Sequence, residues 1–106
     1  MLHFIIVAKR RSDLTPQAFR DYFERVHGPL AERLPGLLGY VRYFPAPDPA
    51  RAPPRWDAVI HMTFADKDAM EAAWASPEGQ AATADNANLL DLAGSSWSVV
   101  EAQAVV

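Results

Sequence analysis

The sequence predicts an α+β fold with the element order β-α-β-β-α-β, the ferredoxin-like arrangement of a four-stranded antiparallel sheet with both helices on one face. Two helical segments and four strand-like segments follow one another in that order over 106 residues, which form a single domain, 1–106. Several strands are apolar on both sides, whereas two helices cover only one face of the sheet. We therefore expect a second copy of the chain to cover the other face, forming a homodimeric α/β barrel.

The first half of the chain predicts a strand, a long helix and a second strand. Leu2 to Lys9 is apolar at nearly every position, as in a strand that is buried on both faces. Thr15-Pro16 predicts a helix start, with threonine as the N-cap and proline in the first turn. This helix is expected to run to about Arg33, where Pro35-Gly36 ends it, and Gly39 to Phe44 forms the second strand.

The first helix has one apolar stripe and a histidine at its edge. At about 100° per residue, the stripe consists of Phe19, Phe23, Val26, Leu30 and Leu34. His27 lies roughly 80° from Phe19 by the same count. Pro29 has no N–H and Gly28 relaxes the backbone, so the helix is expected to be interrupted beside His27.

The second half predicts a loop, a strand, a broken helix and a last strand. Pro45 to Arg55 holds five of the nine prolines and is expected to be an extended loop. Trp56 to Phe64 alternates as a third strand. A second helix runs from the N-cap Asp66 to about Ala75, and a shorter helical stretch covers Pro77 to about Leu90. Trp97 to Val105 is the predicted last strand.

Composition excludes several classes of function. The net charge of −3 argues against a nucleic-acid surface, and the absence of cysteine excludes disulfides and thiolate sites. The apolar start of the chain is too short to span a bilayer and lacks a signal-peptide layout, so we expect a soluble cytoplasmic protein without a membrane partner. The histidine spacing matches no metal motif and no phosphate-binding loop occurs, so neither a metal nor a cofactor is expected.

His27 and Tyr40 are the expected catalytic residues. Histidine exchanges protons near neutral pH, and a tyrosine in the same apolar pocket can donate a hydrogen bond to a developing oxyanion. The expected substrate-binding residues are Tyr22, Asp57, His61, Met62 and Trp74. Alternatives stay open, because Tyr40 can cap the core, Asp57 can hold a turn through backbone N–H groups and His61 can face either side of the sheet.

Two further groups of residues have competing interpretations. Trp74 and Trp97 are typical of core or interface anchors. Asp85, Asn86 and Asn88 follow the second helix as a polar cluster. We interpret this cluster as a solvated turn, with a contact to a polar ligand at the pocket rim as the alternative.

Several segments, taken in order, resemble the EthD family. The resemblance is carried by Leu14-Thr15-Pro16-Gln17-Ala18-Phe19, Val26-His27-Gly28-Pro29-Leu30, Leu34-Pro35-Gly36-Leu37, Tyr40, Trp56-Asp57-Ala58-Val59 and Ala75-Ser76-Pro77-Glu78-Gly79-Gln80-Ala81, with Asp85 and Asp91 downstream. It implies one EthD-like domain with a dimeric α/β-barrel fold. It also implies that His27 and Tyr40 belong to a pocket, as in similar small lyases, cyclases and methylmuconolactone methylisomerases. Met62 stands where the isomerase pattern has a cysteine, so identical isomerase chemistry is not expected.

These observations lead to one preferred function and two alternatives. The preferred function is a cofactor-independent enzyme that catalyses a proton-coupled elimination, isomerisation or cyclisation of a small aromatic, polyketide-like or lactone substrate. The first alternative is a non-catalytic protein that binds a metabolite or assists a degradation pathway. The second is a haem- or flavin-linked oxidase, since haem-degrading monooxygenases belong to the wider superfamily.

Overall fold

One antiparallel sheet forms the base of the molecule. The computed structural model describes all residues, 1–106, and contains the strands β1 (Leu2–Ala8), β2 (Gly39–Tyr43), β3 (Ala58–Phe64) and β4 (Ser96–Val100). Their spatial order is β2-β3-β1-β4, with every neighbouring pair antiparallel. This order confirms the predicted ferredoxin-like α+β fold.

The helices begin where the capping signals predict. The first helix consists of α1 (Pro16–Tyr22), a π-helical segment (Phe23–His27) and α2 (Gly28–Glu32); the second region consists of α3 (Lys67–Ala75), α4 (Pro77–Asp85) and a 3₁₀ turn (Asn86–Asn88). The side chains of Thr15, Asp66 and Ser76 each accept a hydrogen bond from a backbone N–H three residues later. These bonds pair amide groups that have no partner within the first turn of a helix. No helix is both long enough and apolar enough to cross a membrane.

The last strand is shorter than the sequence predicts. β4 ends at Val100 and not at Val105, so the predicted boundary is wrong. Val100 pairs with His3, at the beginning of β1. Residues beyond this point extend past the end of the only strand that β4 adjoins, and a strand without a partner has no ladder of hydrogen bonds to hold it.

The helices cover one face of the sheet, which we call the covered face. Phe4, Ile6, Ile60, Met62 and Phe64 point to this face and are buried. They pack in one core with apolar side chains of the helices, notably Phe19, Phe23, Ala31, Leu34 and Met70. The alternation along β3 is regular, since Ala58, Ile60, Met62 and Phe64 are buried and the residues between them are only partly so.

The opposite side of the same strands, which we call the open face, has no helix against it. It is formed by His3, Ile5, Val7, Gly39, Val41, Tyr43, Val59, His61, Thr63, Ser96, Ser98 and Val100. None of these residues is Asp, Glu, Lys or Arg. Val41 and Tyr43 are 44% and 51% exposed. An uncharged surface of this kind is typical of an interface with another protein.

Candidate functional site

The π-helical segment turns His27 into the core. The N–H of Gly28 donates to the carbonyl of Phe23, a bond that spans five residues where an α-helix spans four. The extra residue in this turn shifts the side chains of all later helix residues by about one position, which is roughly 100° around the helix axis. His27 is therefore only 8% exposed, whereas Val26 is 40% exposed. The prediction that the helix is interrupted beside His27 is confirmed, and the prediction that Val26 belongs to the buried stripe is wrong.

Pro29 explains why the wide turn lies at this position. Proline has no N–H, so the carbonyl of Arg25 cannot receive the usual α-helical bond from position 29. Gly28 also allows a close approach that a side chain would block. A Cβ atom there would overlap the guanidinium group of Arg42 and would lie 2.8 Å from the carbonyl oxygen of Phe23.

A buried carboxylate orients His27. Nδ1 of His27 lies 2.9 Å from Oδ2 of Asp85, at the end of α4, and each of the two side chains is 10% exposed. The other carboxylate oxygen, Oδ1, accepts a hydrogen bond from the hydroxyl of Tyr22 at 2.6 Å and from Nδ2 of Asn88 at 2.9 Å. Tyr22 and His27 from the first helix, and Asn88 from the turn that follows α4, thus converge on Asp85.

These hydrogen bonds keep Asp85 ionised. Burial raises the pKa of this carboxyl, but the hydrogen bonds from Tyr22, Asn88 and His27 together outweigh burial, and the pKa lies below its usual value. The pKa of the Tyr22 hydroxyl is raised, mainly by its hydrogen bond to the Asp85 carboxylate and secondarily by burial. An ionised carboxylate only accepts hydrogen bonds, so Nδ1 of His27 carries the proton. Nε2 has no hydrogen-bond partner in the protein, and it is the basic nitrogen whenever the ring is in its neutral form.

His27 forms part of the wall of a cavity between the covered face and the helices. The cavity has a volume of about 450 Å³. Nine of its twelve lining residues are hydrophobic, and the full set is Phe4, Ile6, His27, Ala31, Leu34, Met62, Trp74, Ala82, Thr83, Asn86, Leu92 and Trp97. A mainly apolar cavity with a few polar groups is typical of a small-molecule site.

The structure brings some of the predicted site residues together with His27. Met62 and Trp74 line the same cavity. Tyr22 does not line the cavity, but its hydroxyl and Nδ1 of His27 bind the two oxygens of the same carboxylate, Asp85. Tyr40 does not line the main cavity; it lines an adjoining crevice of about 10 Å³, whose wall also includes His27.

Asp57 and His61 are not brought to this cavity. Asp57 accepts a hydrogen bond from the backbone N–H of Arg10 at 2.9 Å and lies within 3.6 Å of the side-chain nitrogen of Lys9, as expected of a residue that holds a turn. His61 points to the open face, where its Nε2 lies 2.8 Å from Nδ1 of His3. Neither side chain lines the His27 cavity.

Asp85 is the site residue whose role the sequence did not reveal. The interpretation of its cluster as a solvated turn is wrong for this residue, which is 9% exposed. One signal was available, because an aspartate at the last position of a helix opposes the helix dipole and needs a compensating partner. The structure contains no group of three or more His, Asp or Glu side chains that could hold a metal ion.

Comparisons with known proteins agree with this fold. No functionally curated protein matches the chain. An EthD family protein from Bacillus halodurans has a similar structure, with a TM-score of 0.81, 19% identity, and coverage of 97% of this chain and 100% of that one. SnoaB, a cofactor-independent oxygenase from Streptomyces nogalater, has a TM-score of 0.67 at 17% identity, covering 99% and 95% of the two chains.

A third similar structure is a dimeric ferredoxin-like protein of unknown function from Thermobifida fusca. Its TM-score is 0.71 at 18% identity, with coverage of 95% of this chain and 90% of that one. At these identities the structures share the fold alone. The sequence profile of the EthD domain, however, matches residues 11–93, which is most of the chain. The chain therefore belongs to the EthD family.

Proposed function

We propose that this protein is a cofactor-independent enzyme that uses His27 to move a proton on a small aromatic, polyketide-like or lactone substrate. The reaction is an elimination, isomerisation or cyclisation. One observation carries the proposal: a histidine whose Nδ1 is held by the buried carboxylate of Asp85 lines a cavity of about 450 Å³. That SnoaB is described as a cofactor-independent oxygenase supports a cofactor-free reaction on this fold.

His27 acts as the general base and then as the general acid. Nε2 takes a proton from a carbon or hydroxyl of the substrate, and the electron pair of the broken bond stays on the substrate. The imidazolium that forms is stabilised by the ionised Asp85, which accepts the hydrogen bond from Nδ1. His27 then returns the proton to another substrate atom or to the leaving group. Tyr22 and Asn88 assist by holding Asp85 in place.

The lining of the cavity favours a planar and mostly apolar substrate. Two indole rings, Trp74 and Trp97, provide flat contact surfaces. Thr83 and Asn86 provide the polar groups that can bind a hydroxyl or carbonyl of the substrate. Met62 adds a flexible apolar contact beside them.

We also infer that the protein works as a homodimer in which a second copy covers the open face. This face has no charged strand residue, and the similar structure from Thermobifida fusca is described as dimeric. Removal of the apolar side chains of this face from water, among them Ile5, Val41 and Val59, favours association. The His27 cavity lies on the covered face, so dimerisation leaves each cavity within its own subunit.

Uptake of deuterium from solvent tests the proposed proton transfer. Tetralones, hydroxynaphthoquinones and unsaturated five-membered lactones serve as probes, and mass spectrometry follows deuterium uptake and product formation in deuterium oxide. We expect exchange or turnover with the wild type and a loss of about 10²–10⁴-fold in His27→Gln. The matched control is His3→Gln, which replaces a histidine on the open face and should keep the wild-type rate.

Two outcomes would contradict the proposal. Exchange at the wild-type rate in His27→Gln would remove this residue from the reaction. Probes that bind in the cavity and return without deuterium or any other change would favour the alternative, a metabolite-binding accessory protein. Repeating the reaction under argon tests the reaction class, because an elimination, isomerisation or cyclisation proceeds without oxygen.

A further inference from the structure

The crevice next to the main cavity is lined by a tyrosine whose hydroxyl group lacks a partner. The hydroxyl oxygen of Tyr40 is fully buried and makes no hydrogen bond. Buried hydroxyl groups in folded proteins nearly always have a partner in the protein, in an ordered water or in a ligand. Tyr40 lies in β2 opposite Met62, on the covered face, and Phe23, His27 and Leu90 line the same crevice.

A second polar group of the crevice is also without a protein partner. The side-chain amide of Asn86 makes no hydrogen bond within the protein, although its backbone carbonyl accepts two. Asn86 lines both the crevice and the main cavity, as do Ile6, His27 and Met62. The two spaces are therefore neighbours, and a molecule in the cavity can reach the crevice past His27.

The size of the crevice limits what it can hold. Its volume of about 10 Å³ suits a single water molecule or a single oxygen atom of a ligand. Tyr40 can serve as a donor over the working pH range, because burial raises the pKa of its hydroxyl to about 12, with Arg42 lowering it and Glu32 raising it further. The neutral phenol and the amide of Asn86 together provide the donors that a carbonyl oxygen needs.

We propose that this crevice is a subsite for one oxygen atom, which Tyr40 and Asn86 bind while His27 moves a proton on the adjacent carbon. One water molecule occupies the subsite in the free protein, and the carbonyl oxygen of the substrate replaces it. This inference rests on the proposed function and narrows the substrate class to enolisable carbonyl compounds. The C–H bond breaks and its proton goes to Nε2 of His27. The electron pair of that bond forms the carbon–carbon double bond of the enolate, and the π electrons of the carbonyl group move to its oxygen.

The negative charge that forms on this oxygen explains the need for the two donors. A hydrogen bond from a neutral phenol to an enolate is stronger than one to the ketone, so it stabilises the charged state more than the bound substrate. The surrounding walls are apolar, which strengthens the interaction further. On reprotonation the electron pair returns to carbon and the carbonyl re-forms.

Binding of two probes of the same shape tests the subsite without requiring turnover. α-Tetralone carries the carbonyl oxygen and tetralin lacks it. We expect the affinity ratio of α-tetralone to tetralin, measured by titration in NMR, to fall by about 3- to 10-fold in Tyr40→Phe. The control Tyr43→Phe removes a hydroxyl from the same strand on the open face and should keep the wild-type ratio.

A crystal structure of the free protein at high resolution gives the second measurement. One ordered water bonded to both Tyr40 and Asn86 is expected, and Tyr40→Phe should lose it. An unchanged affinity ratio, no binding of either probe, or a Tyr40 hydroxyl bonded to another protein group would overturn the subsite.

The outcomes also separate this subsite from the proposed function. Deuterium exchange that needs His27 but is unaffected in Tyr40→Phe would leave the enzyme proposal standing without the subsite. A changed affinity ratio without any exchange would leave the subsite standing in a protein that only binds its ligand.

Discussion

The two faces of the sheet use the same strands for different purposes. On the covered face, Ile60 and Met62 pack beneath the helices and the cavity forms beside them. On the open face, their neighbours Val59 and His61 remain partly exposed. Because side chains alternate along a strand, one segment serves both surfaces, and the packing against each face decides what its residues do.

The histidines on the two faces show this difference in chemical terms. His27 is paired with a carboxylate, and His3 is paired with a second imidazole, His61. A carboxylate stabilises an imidazolium, so His27 can gain a proton without losing its partner. A hydrogen bond between two imidazoles joins an N–H donor on one ring to an unprotonated nitrogen on the other. This acceptor is lost when both rings carry two protons. Proton transfer is therefore suited to the covered face.

The largest expected effects, on stability and on dimer formation, come from placing a charge at either of two adjacent positions of β3. Ile60→Asp buries an unpaired carboxylate in the core, where Ile60 is 2% exposed, and should lower the free energy of unfolding by about 3 kcal/mol or more. Val59→Asp puts the same charge on the open face and should leave a folded chain that no longer dimerises. Chemical denaturation and analytical ultracentrifugation measure the two outcomes.

This pair of variants can also break the comparison. A fully folded Ile60→Asp would mean that the covered face is not the core. A Val59→Asp protein that remains dimeric would mean that the open face is not the interface, while leaving the His27 site unaffected.

A smaller effect on the free energy of unfolding is expected when the Asp85 carboxylate is removed from the covered face. The folded protein lowers the pKa of Asp85, so its stabilising contribution is present above the ordinary carboxyl value of 3.8 and is lost as the pH falls through the native value. Asp85→Asn should reduce the free energy of unfolding by about 1–3 kcal/mol at neutral pH and less in acid. Urea denaturation from pH 2 to pH 7 measures this difference.

The exposed aspartate Asp13, which pairs with Arg11, provides the matched control. Asp13→Asn should change the stability far less, because exposed ion pairs contribute little. Equal stability losses in the two variants, or a loss in Asp85→Asn that does not depend on pH, would contradict the role of Asp85.

The smallest effect concerns association on the open face. Nδ1 of His3 lies 2.8 Å from Nε2 of His61 on this face, where the second copy is expected to pack. His61→Gln breaks this contact between the two rings and should weaken the dimer several-fold. Ultracentrifugation of the wild type and His61→Gln measures this, and equal dissociation constants would contradict the role of the pair.

Local signals made most of the fold predictable. Proline, glycine and capping residues mark the ends of the helices, and Thr15, Asp66 and Ser76 cap as their positions indicate. One error arose where a distant partner decides, and another where a local irregularity interrupts the helix. The end of β4 depends on where β1 begins, and the exposure of Val26 depends on a wide turn that a uniform rotation of 100° per residue does not include.

The sequence by itself determined the order of the elements, the family and the helix interruption beside His27, because these follow from spacing and residue types that lie close together in the chain. The tertiary structure alone decided which groups His27 contacts. Its carboxylate partner lies 58 residues away, and Tyr22, Asp85 and Asn88 meet only when α1 and α4 pack on the same face of the sheet. A hydrogen bond requires atoms within about 3 Å, and helical or strand periodicity does not specify contacts between distant segments at that distance.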